Sequence, residues 1–393
     1  MEPVYYNFDL TIGETDDGYL ITLVNGPQGE ISTRFVPPLS EQDLDHIWGA
    51  VERRREMELS QQRRIAREVG QRLFHSLIPE ELSVAYRHMT RLAQQAQAAL
   101  CLRLDLTQTP DLRYLPWEFL FDDETAAFLT LSGRTPFMRH LDLMHRIGAI
   151  PVQPPLRVLV VVAEPDTYAP FEGRQQWLNL VDSVGPLVHD RHLLLERLAK
   201  PSLFELQRRL RNEPYHVLHF IGHGVDNPLS DDGQLVFEDQ IQRGRTVSGM
   251  HLGTLLRDHY PLRLTILQSC DNFADGIRRN PFAQAAYNMV LRQTPAAIAV
   301  PQALEQIESA AFFSSLYHGL AGYQPIAGAV ADARKALATV EGGIAWGLPL
   351  LYSRTPSGLI FDNGALLQPT ATVAPREPSL WERVMQLGRN RPG

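Results

Sequence analysis

Two residues capable of nucleophilic chemistry each follow a short apolar run of this chain. His223 comes after the run 215–222 and is flanked by glycines, and Cys270 comes after the run 262–269. Both runs are rich in leucine and β-branched residues, which is typical of buried parallel strands. Because ligands bind outside the carboxyl ends of such strands, we expect His223 and Cys270 to lie side by side at one edge of an α/β sheet.

This pairing suits a thiol nucleophile that has an imidazole as its base. A thiol of ordinary pKa is mostly protonated at neutral pH, whereas the thiolate is the form that attacks. An imidazole close to Cys270 can take the thiol proton and later return it to a leaving amine. Gly224 lets the chain turn sharply after His223 and leaves its N–H free to point at a reacting carbonyl oxygen.

The ordered motifs of the chain resemble those of the CHAT domain, a branch of the caspase- and separase-like cysteine peptidases. They are His-Phe-Ile-Gly-His-Gly at 219–224, Leu-Gln-Ser-Cys-Asp-Asn at 267–272, Leu-Pro-Trp-Glu-Phe-Leu at 115–120 and Gly-Leu-Pro-Leu at 347–350. The resemblance covers most of residues 98–362. The separation of His223 and Cys270, 270 − 223 = 47 residues, is also close to the roughly 50 of caspases. The family commonly has Ala-Cys-Glu-Thr at the nucleophile, where this chain has Ser-Cys-Asp-Asn, so no substrate preference carries over.

The resemblance implies a caspase-like α/β fold, a mostly parallel sheet with helices on both faces. It also implies peptide-bond hydrolysis, in which Cys270 attacks the carbonyl carbon and His223 serves first as base and then as acid. The backbone N–H groups of Gly224 and Cys270 would hold the oxyanion, and neither a metal nor an organic cofactor is needed. Gln268 is a candidate for the primary specificity pocket, because it occupies a position that helps to line that pocket in caspases. Asp271 could offer a negative charge to a basic substrate residue, or it could cap the following turn.

The pattern of elements divides the chain into three regions. Residues 1–150 show strand and helix signals without a paired His and Cys, and they resemble the inactive α+β half that precedes the working half in separase- and CHAT-type proteins. The proline-rich break at 151–155 marks the boundary. Residues 155–363 alternate strands and helices, which predicts the peptidase sheet, closed by a strand at 348–352. Residues 364–393 are polar and proline-rich, which predicts a mobile tail.

Composition argues against several classes of protein. The 393 residues carry a formal net charge of −8, which argues against direct binding of nucleic acid. Two cysteines, Cys101 and Cys270, exclude a disulfide scaffold and suit a reducing cytosol. The start of the chain lacks a signal-peptide pattern, and no apolar run is long enough to span a bilayer. We therefore expect a cytoplasmic protein without a membrane partner.

Other reactive residue types in the chain have structural explanations. Cys101 falls within an alternating strand, which predicts a small buried hydrophobe. His219 shares its strand with His223, and we expect a core histidine with both ring nitrogens bonded. The arginine-rich runs at 53–55 and 63–67 are interleaved with glutamates at 52, 56, 58 and 68, which favours a solvated, salt-bridged helix face over a nucleic-acid patch. Glu118 is expected to cap a turn or to pair with an arginine.

The loop after the nucleophile carries two further expectations. Acidic candidates near the sheet edge outnumber basic ones, since Asp271 adjoins the nucleophile and Glu305 and Glu308 follow the next strand. This favours cleavage after Arg or Lys, or after a polar or small residue if these acids point to solvent. The loop 271–280 is predicted to be exposed and mobile, with any self-cleavage at or near 278–279.

The resemblance also implies a biological setting. CHAT peptidases are often part of bacterial defence or regulated cell-death systems, where they cleave one dedicated protein after a sensor is engaged. A gasdermin-like pore-forming protein is one such substrate, so we expect a protein substrate and an upstream sensor or activator protein as partners. Two alternatives stay open, a catalytically silent regulatory scaffold and an α/β sensor of nucleotides or small molecules. The second is weak because no glycine-rich phosphate loop follows the first strand of the peptidase region.

Overall fold

The architecture comes from a computed structural model, which describes residues 5–27, 29–144, 147–227, 229–273, 279–341 and 343–364. The first elements in chain order are β1 (Tyr5–Thr15), β2 (Gly18–Leu23), β3 (Ile31–Phe35), α1 (Glu41–Glu52), α2 (Leu59–Leu77), α3 (Glu80–Gln95), β4 (Ala99–Asp105), β5 (Phe121–Asp122), β6 (Ala127–Phe128), β7 (Phe137–His140) and β8 (Ile150–Pro151). Short 3-10 turns occupy Pro110–Tyr114, Trp117–Phe119 and Leu129–Leu131.

Strands and helices then alternate, as predicted for this part of the chain. They are β9 (Leu156–Ala163), α4 (Gly173–Ser183), α5 (Gly185–His189), β10 (Leu193–Arg197), α6 (Leu203–Asn212), β11 (Val217–Gly222), β12 (Gly224–Val225), β13 (Gln234–Glu238), β14 (Gly244–Ser248), α7 (Gly249–Leu256), β15 (Leu264–Ser269), α8 (Pro281–Leu291), β16 (Ala296–Val300), α9 (Gln306–Ala321), α10 (Ile326–Glu341), a 3-10 turn (Ala345–Gly347), β17 (Leu350–Ser353) and β18 (Phe361–Asp362).

Eleven strands form one continuous sheet in the order β10-β9-β11-β15-β16-β17-β7-β4-β1-β2-β3. From β10 to β16 all neighbours are parallel, so the predicted mostly parallel α/β fold is confirmed. The expectation that the strand near 348–352 closes the sheet is wrong. β17 runs antiparallel to β16 and pairs on its other side with β7, so the sheet continues into the N-terminal strands.

The central strands are buried on both faces. Every residue of β11, β15 and β16 is buried, as expected for Val-, Ile- and Leu-rich parallel strands. Helix α8 packs against β15, β16 and β17, and α10 packs on α9, which in turn contacts α4. Helices that cover the sheet in this way exclude water from the core and leave the carboxyl ends of the strands as the place for a site.

The N-terminal strands and the predicted peptidase region share this one sheet. Besides the pair of β7 and β17, the two-residue strands β8 and β18 form a separate two-stranded parallel sheet. The division at 151–155 stays a prediction. The predicted tail lies outside the described residues beyond Gly364, and so do residues 274–278 of the loop after the nucleophile.

A buried ion-pair cluster explains Glu118. Its carboxylate accepts hydrogen bonds from Arg139 Nε at 2.9 Å and Nη2 at 2.6 Å, and Arg334 Nη2 lies 3.8 Å away. All three residues are buried. The predicted pairing of Glu118 with an arginine is therefore confirmed, and the segment that contains it is fixed to the sheet and to α10.

In the arginine run at 53–55, Arg54 differs from the prediction of a solvated face, whereas Arg53 and Arg55 are exposed. Helix α1 ends at Glu52, and the turn that follows directs Arg54 inward. Arg54 is only 7% exposed and forms an ion pair of 3.1 Å with Glu308. A helical periodicity could not predict this, because these residues lie in the turn between α1 and α2. No helix within the described ranges is long and apolar enough to cross a membrane.

Candidate active site

His223 and Cys270 are neighbours at the carboxyl edge of the sheet, as the sequence predicted. The strands β11 and β15 are parallel and paired in register up to Gly222 and Ser269. The next residue on each strand is therefore His223 or Cys270, so the two side chains leave the sheet at the same level. Cys270 Sγ lies 3.3 Å from His223 Nδ1.

The other ring nitrogen of His223 fixes its tautomer. Nε2 lies 2.8 Å from the carbonyl oxygen of Ala169. A carbonyl oxygen only accepts, so Nε2 carries a proton and donates it, and Nδ1 of the neutral ring faces the thiol with its lone pair. Tyr168 stacks on the imidazole and Phe171 meets it edge-on, each with ring centroids 5.3 Å apart. His223 is only 4% exposed, so its ring is held on several sides.

The segment 164–173, which contains Ala169, is held by hydrogen bonds to Glu164, the residue directly after β9. The Glu164 carboxylate accepts from the N–H groups of Phe171 at 2.9 Å and Gly173 at 3.0 Å. A Cβ at Gly173 would lie 2.8 Å from Glu164 Oε2, so the close approach requires glycine. No motif in the sequence points to this segment. Its only signal was that it follows a third parallel strand end next to that of His223.

Asp271 is bonded to the same imidazole nitrogen that faces the thiol. Its two carboxylate oxygens lie 3.0 and 2.9 Å from His223 Nδ1, and its side chain is 33% exposed. A neutral Nδ1 can accept from a thiol but cannot pair with a carboxylate, whereas a protonated Nδ1 can donate to either the carboxylate or a thiolate. Asp271 and Cys270 therefore compete for one nitrogen. The sequence did not predict this contact.

Hydrogen bonding, burial and charge shift the pKa values of both members of the dyad. The hydrogen bond that the Asp271 carboxylate accepts from the protonated ring raises the pKa of the His223 imidazole above its ordinary value, against the opposing effect of burial. Burial raises the pKa of the Cys270 thiol, and the negative charge of Asp271 raises it further. The raised thiol pKa favours the protonated thiol, and the raised imidazole pKa makes Nδ1 a stronger proton acceptor.

Of the two backbone N–H groups predicted to bind the oxyanion, that of Cys270 already has a hydrogen-bond acceptor within the sheet. The Cys270 N–H donates to the Gly222 carbonyl oxygen at 3.1 Å, so it is engaged in the strand ladder and is not free to hold an oxyanion. Its predicted role is therefore not supported by this geometry. The reason is that the hydrogen bonding between β11 and β15 continues for one residue past Ser269, the end of β15.

The backbone N–H of Gly224, the other predicted oxyanion donor, takes no part in the hydrogen bonds between β12 and β13. Gly224 lies opposite Leu235, and Val236 N–H donates to the His223 carbonyl oxygen at 3.0 Å. This makes Gly224 and Leu235 a non-hydrogen-bonded pair, in which the N–H of Gly224 points away from β13. The glycine is not explained by a sharp turn, since its φ is not positive. Instead, a Cβ there would lie 2.6 Å from the Phe282 ring.

Gln268 is buried beneath the nucleophile and is 3% exposed. Its Oε1 lies 3.1 Å from His219 Nε2, and His219 Nδ1 lies 2.9 Å from the Tyr317 hydroxyl. Burial lowers the pKa of His219 to about 4, so the ring is neutral, donates to Gln268 and accepts from Tyr317. The prediction of a doubly bonded core histidine is confirmed. The role of Gln268 in a substrate pocket stays a prediction.

The remaining acids have arginine partners, and the second cysteine is buried. Glu308 pairs with Arg54, and Glu305 pairs with Arg55 and caps α9. Of the three acids that the sequence offered for a pocket, Asp271 alone has no arginine partner among the described residues. Cys101 is buried, and burial raises the pKa of its thiol to about 12, as its prediction as an inert core residue requires.

The site also contains the one group of potential metal ligands found in the described part of the chain. Ligand atoms of His223, Cys270 and Asp271 lie within 4.8 Å of one another. Three donors are one fewer than a structural zinc site uses. Two of them are the reacting groups themselves, so we assign no metal here.

Comparison with known proteins gives a family match. Residues 63–383, most of the chain, match the family model of the CHAT domain. Comparison with curated protein sequences gave no significant match. Among solved structures, a chain of the Saccharomyces cerevisiae separase–securin complex is similar with a TM-score of 0.34 and 12% identity. That match covers 70% of this chain and 18% of the other, so this protein spans less than a fifth of that chain's length. On the family match, the chain belongs to the CHAT-domain family.

Proposed function

We propose that this protein is a cysteine endopeptidase that hydrolyses a protein substrate with the dyad of Cys270 and His223. The observation that carries the proposal is the 3.3 Å contact between Cys270 Sγ and His223 Nδ1. The bond from Nε2 to Ala169 supports it, because it fixes the tautomer in which Nδ1 accepts a proton from the thiol.

The proposed reaction has two halves. In the first, the thiol proton passes to Nδ1 and Sγ attacks the scissile carbonyl carbon, while the N–H of Gly224 stabilises the oxyanion. One such donor is worth about 100- to 1000-fold in rate. The imidazolium of His223 then protonates the leaving amine, which gives an acyl-enzyme on Cys270. In the second half, water attacks the acyl group with His223 as base, which releases the acid and restores the thiol.

Asp271 supports a preference for a basic residue at the cleavage site. Its carboxylate adjoins Cys270, is one-third exposed and has no arginine partner among the described residues. A substrate guanidinium or ammonium group that pairs with this carboxylate would form a charge-assisted hydrogen bond. The same pairing would draw Asp271 away from His223 Nδ1 and leave that nitrogen to the thiol. We propose cleavage after Arg or Lys on this ground.

The biological setting is proposed from the family. CHAT peptidases commonly act in bacterial defence or regulated cell death, which supports one dedicated protein substrate, such as a gasdermin-like pore-forming protein. It also supports an upstream sensor or activator protein as a partner, and action in the cytoplasm. Comparing the neighbouring genes for a pore-forming protein tests this setting.

A second candidate function is that of a catalytically silent scaffold. It is favoured by the raised pKa of the Cys270 thiol and by the burial of His223, both of which oppose formation of a thiolate at neutral pH. The two functions differ in whether Cys270 reacts as an activated nucleophile.

A covalent test separates them. A peptidyl electrophile selective for catalytic thiols should label Cys270, and His223→Ala should abolish the labelling. Cys270→Ala and His223→Ala should each lower the cleavage rate of a fluorogenic peptide library at least a thousand-fold. Their melting temperatures should stay close to that of the unchanged protein. The control Cys101→Ala should keep its activity, because that thiol is buried away from the site. Equal loss in all three variants would point to instability and contradict the peptidase.

A further inference from the structure

We propose that Arg54, in the turn between α1 and α2, is a positioning residue that holds the nucleophile of the site in place. It acts through two short segments, the nucleophile loop (271–273) and the clamp segment (301–303). The proposal rests on the peptidase function above. It would give the N-terminal region a direct part in the chemistry of a dyad that it does not itself carry.

The clamp segment binds the nucleophile loop through backbone groups. The Ala303 N–H donates to the Asp271 carbonyl oxygen at 2.9 Å. Asp271 follows Cys270 directly and also carries the carboxylate that contacts the imidazole. A shift of Ala303 therefore moves both the thiol and its neighbouring charge relative to His223.

The buried side-chain amide of Gln302 adds two hydrogen bonds between the clamp segment and the nucleophile loop. Gln302 is 2% exposed, and its Oε1 accepts from the Phe273 N–H at 2.9 Å while its Nε2 donates to the Phe273 carbonyl oxygen at 2.6 Å. Beyond residues 274–278, Asn280 Nδ2 donates to the Pro301 carbonyl oxygen at 2.9 Å. The residues on both sides of 274–278 are thus bonded to the same clamp segment.

Arg54 fixes the clamp segment from the opposite side. Its Nη2 donates to the Ala303 carbonyl oxygen at 3.0 Å and to Glu308 at 3.1 Å, and its Nε donates to Glu308 at 3.3 Å. Nη1 donates to the Val51 carbonyl oxygen at 3.2 Å. A planar guanidinium with this many bonds has little freedom. Ala303 is therefore tied through its N–H to the nucleophile loop and through its carbonyl to Arg54.

The hydrogen bonds from Arg54 matter for the clamp segment because this segment lies outside the helices and strands. It joins the end of β16 to the start of α9, so neither the sheet ladder nor helical hydrogen bonds hold it. The contact of Cys270 with His223 depends on separations of about 3 Å, and a displacement of about 1 Å in a reacting pair costs about 100-fold in rate. Loss of Arg54 should therefore change reactivity at Cys270 without removing a reacting group.

The test compares Arg54→Met with a matched control, Arg103→Met. Arg103 is also buried, forms a bidentate ion pair with Asp9 and donates to the Pro356 carbonyl oxygen at 2.6 Å. Its bonds do not involve the clamp segment or the nucleophile loop. Both substitutions remove a buried arginine and leave a carboxylate unpaired, so both should lower the melting temperature.

Only Arg54→Met should alter the site. We expect it to lower kcat/KM by about 10- to 100-fold. We also expect at least a threefold change in the rate at which iodoacetamide alkylates Cys270, with a displaced pH profile. Arg103→Met should leave the alkylation profile unchanged. The alkylation readout does not require turnover, so failure of the peptidase proposal and failure of this one are distinguishable.

A second variant covers the case in which Arg54→Met does not fold. Arg54→Met with Glu308→Gln removes the unpaired buried charge and keeps an amide that can still bond the Glu305 N–H. It should recover much of the melting temperature but not the alkylation profile, because nothing replaces the donor to Ala303. A folded double variant with the unchanged protein's profile overturns the proposal, and so does an altered profile in Arg103→Met.

Discussion

Replacing Asp271 with Asn should make Cys270 react faster with iodoacetamide. The carboxylate oxygens of Asp271 and the thiol of Cys270 contact one nitrogen, Nδ1 of His223. In a peptidase triad, by contrast, the carboxylate bonds the imidazole nitrogen that faces away from the nucleophile. That position belongs here to the Ala169 carbonyl oxygen, so Asp271 acts as a competitor of the thiol.

The magnitude follows from the strength of that competing bond. A hydrogen bond to a charged group is worth about 1.5–3 kcal/mol. The Asp271 side chain is one-third exposed, and solvent weakens ion pairs there, so the lower end of this range applies. About 1.4 kcal/mol corresponds to a factor of about ten. We therefore expect alkylation of Cys270 to be about tenfold faster in Asp271→Asn at a pH where little thiolate is present.

The pH dependence has a definite sign. Iodoacetamide reacts with the thiolate, and burial together with Asp271 raises the pKa of the Cys270 thiol. The alkylation rate of the unchanged protein should therefore rise only in the alkaline range. Removing the negative charge lowers the thiol pKa, so the rise in Asp271→Asn should begin at lower pH.

Mass spectrometry of the peptide that contains Cys270 measures the rate between about pH 6 and pH 10. Cys101 serves as an internal control in the same sample, since burial raises the pKa of that thiol to about 12. Because Asn can still bond Nδ1, Asp271→Ala should be run beside it. If both variants react more slowly than the unchanged protein, Asp271 orients the imidazole and the competition argument is refuted.

Two other predictions concern stability and specificity. Glu118→Gln should lower the free energy of unfolding by about 3–5 kcal/mol, since it leaves the buried Arg139 and Arg334 without a full counter-charge. Urea denaturation measures this, and an unchanged midpoint would show that the cluster is dispensable. A peptide library should show cleavage after Arg or Lys, with the preference reduced in Asp271→Asn. A dominant preference for aspartate at the cleavage site would contradict the role given to that carboxylate.

The dyad could be predicted because strand ends are visible in a sequence. An apolar run that stops at a glycine or a polar residue marks the end of a parallel strand, and neighbouring ends meet at one edge. The partners of the dyad leave no such signal. Ala169 contributes a backbone carbonyl, which any residue possesses. The contact of Asp271 depends on a side-chain rotamer, and the engagement of the Cys270 N–H depends on how far the ladder extends.

Long-range pairing accounts for the other differences. The strand at 348–352 was located correctly, but β17 pairs with β7, which lies some two hundred residues earlier in the chain. Local periodicity carries no information about such partners. The inward direction of Arg54 has the same cause, since its partner Glu308 belongs to a helix near the other end of the chain.

The continuous sheet has a consequence for aggregation. Among the residues that the structure describes, the eleven-stranded sheet has β10 and β3 as its two edge strands. A fragment that began at residue 155 would lack β7 and would leave the buried strand β17 with unpaired N–H and C=O groups along one side. An exposed apolar edge of this kind is a template for pairing with other chains. We therefore expect such a fragment to self-associate more readily than a chain that retains the N-terminal strands.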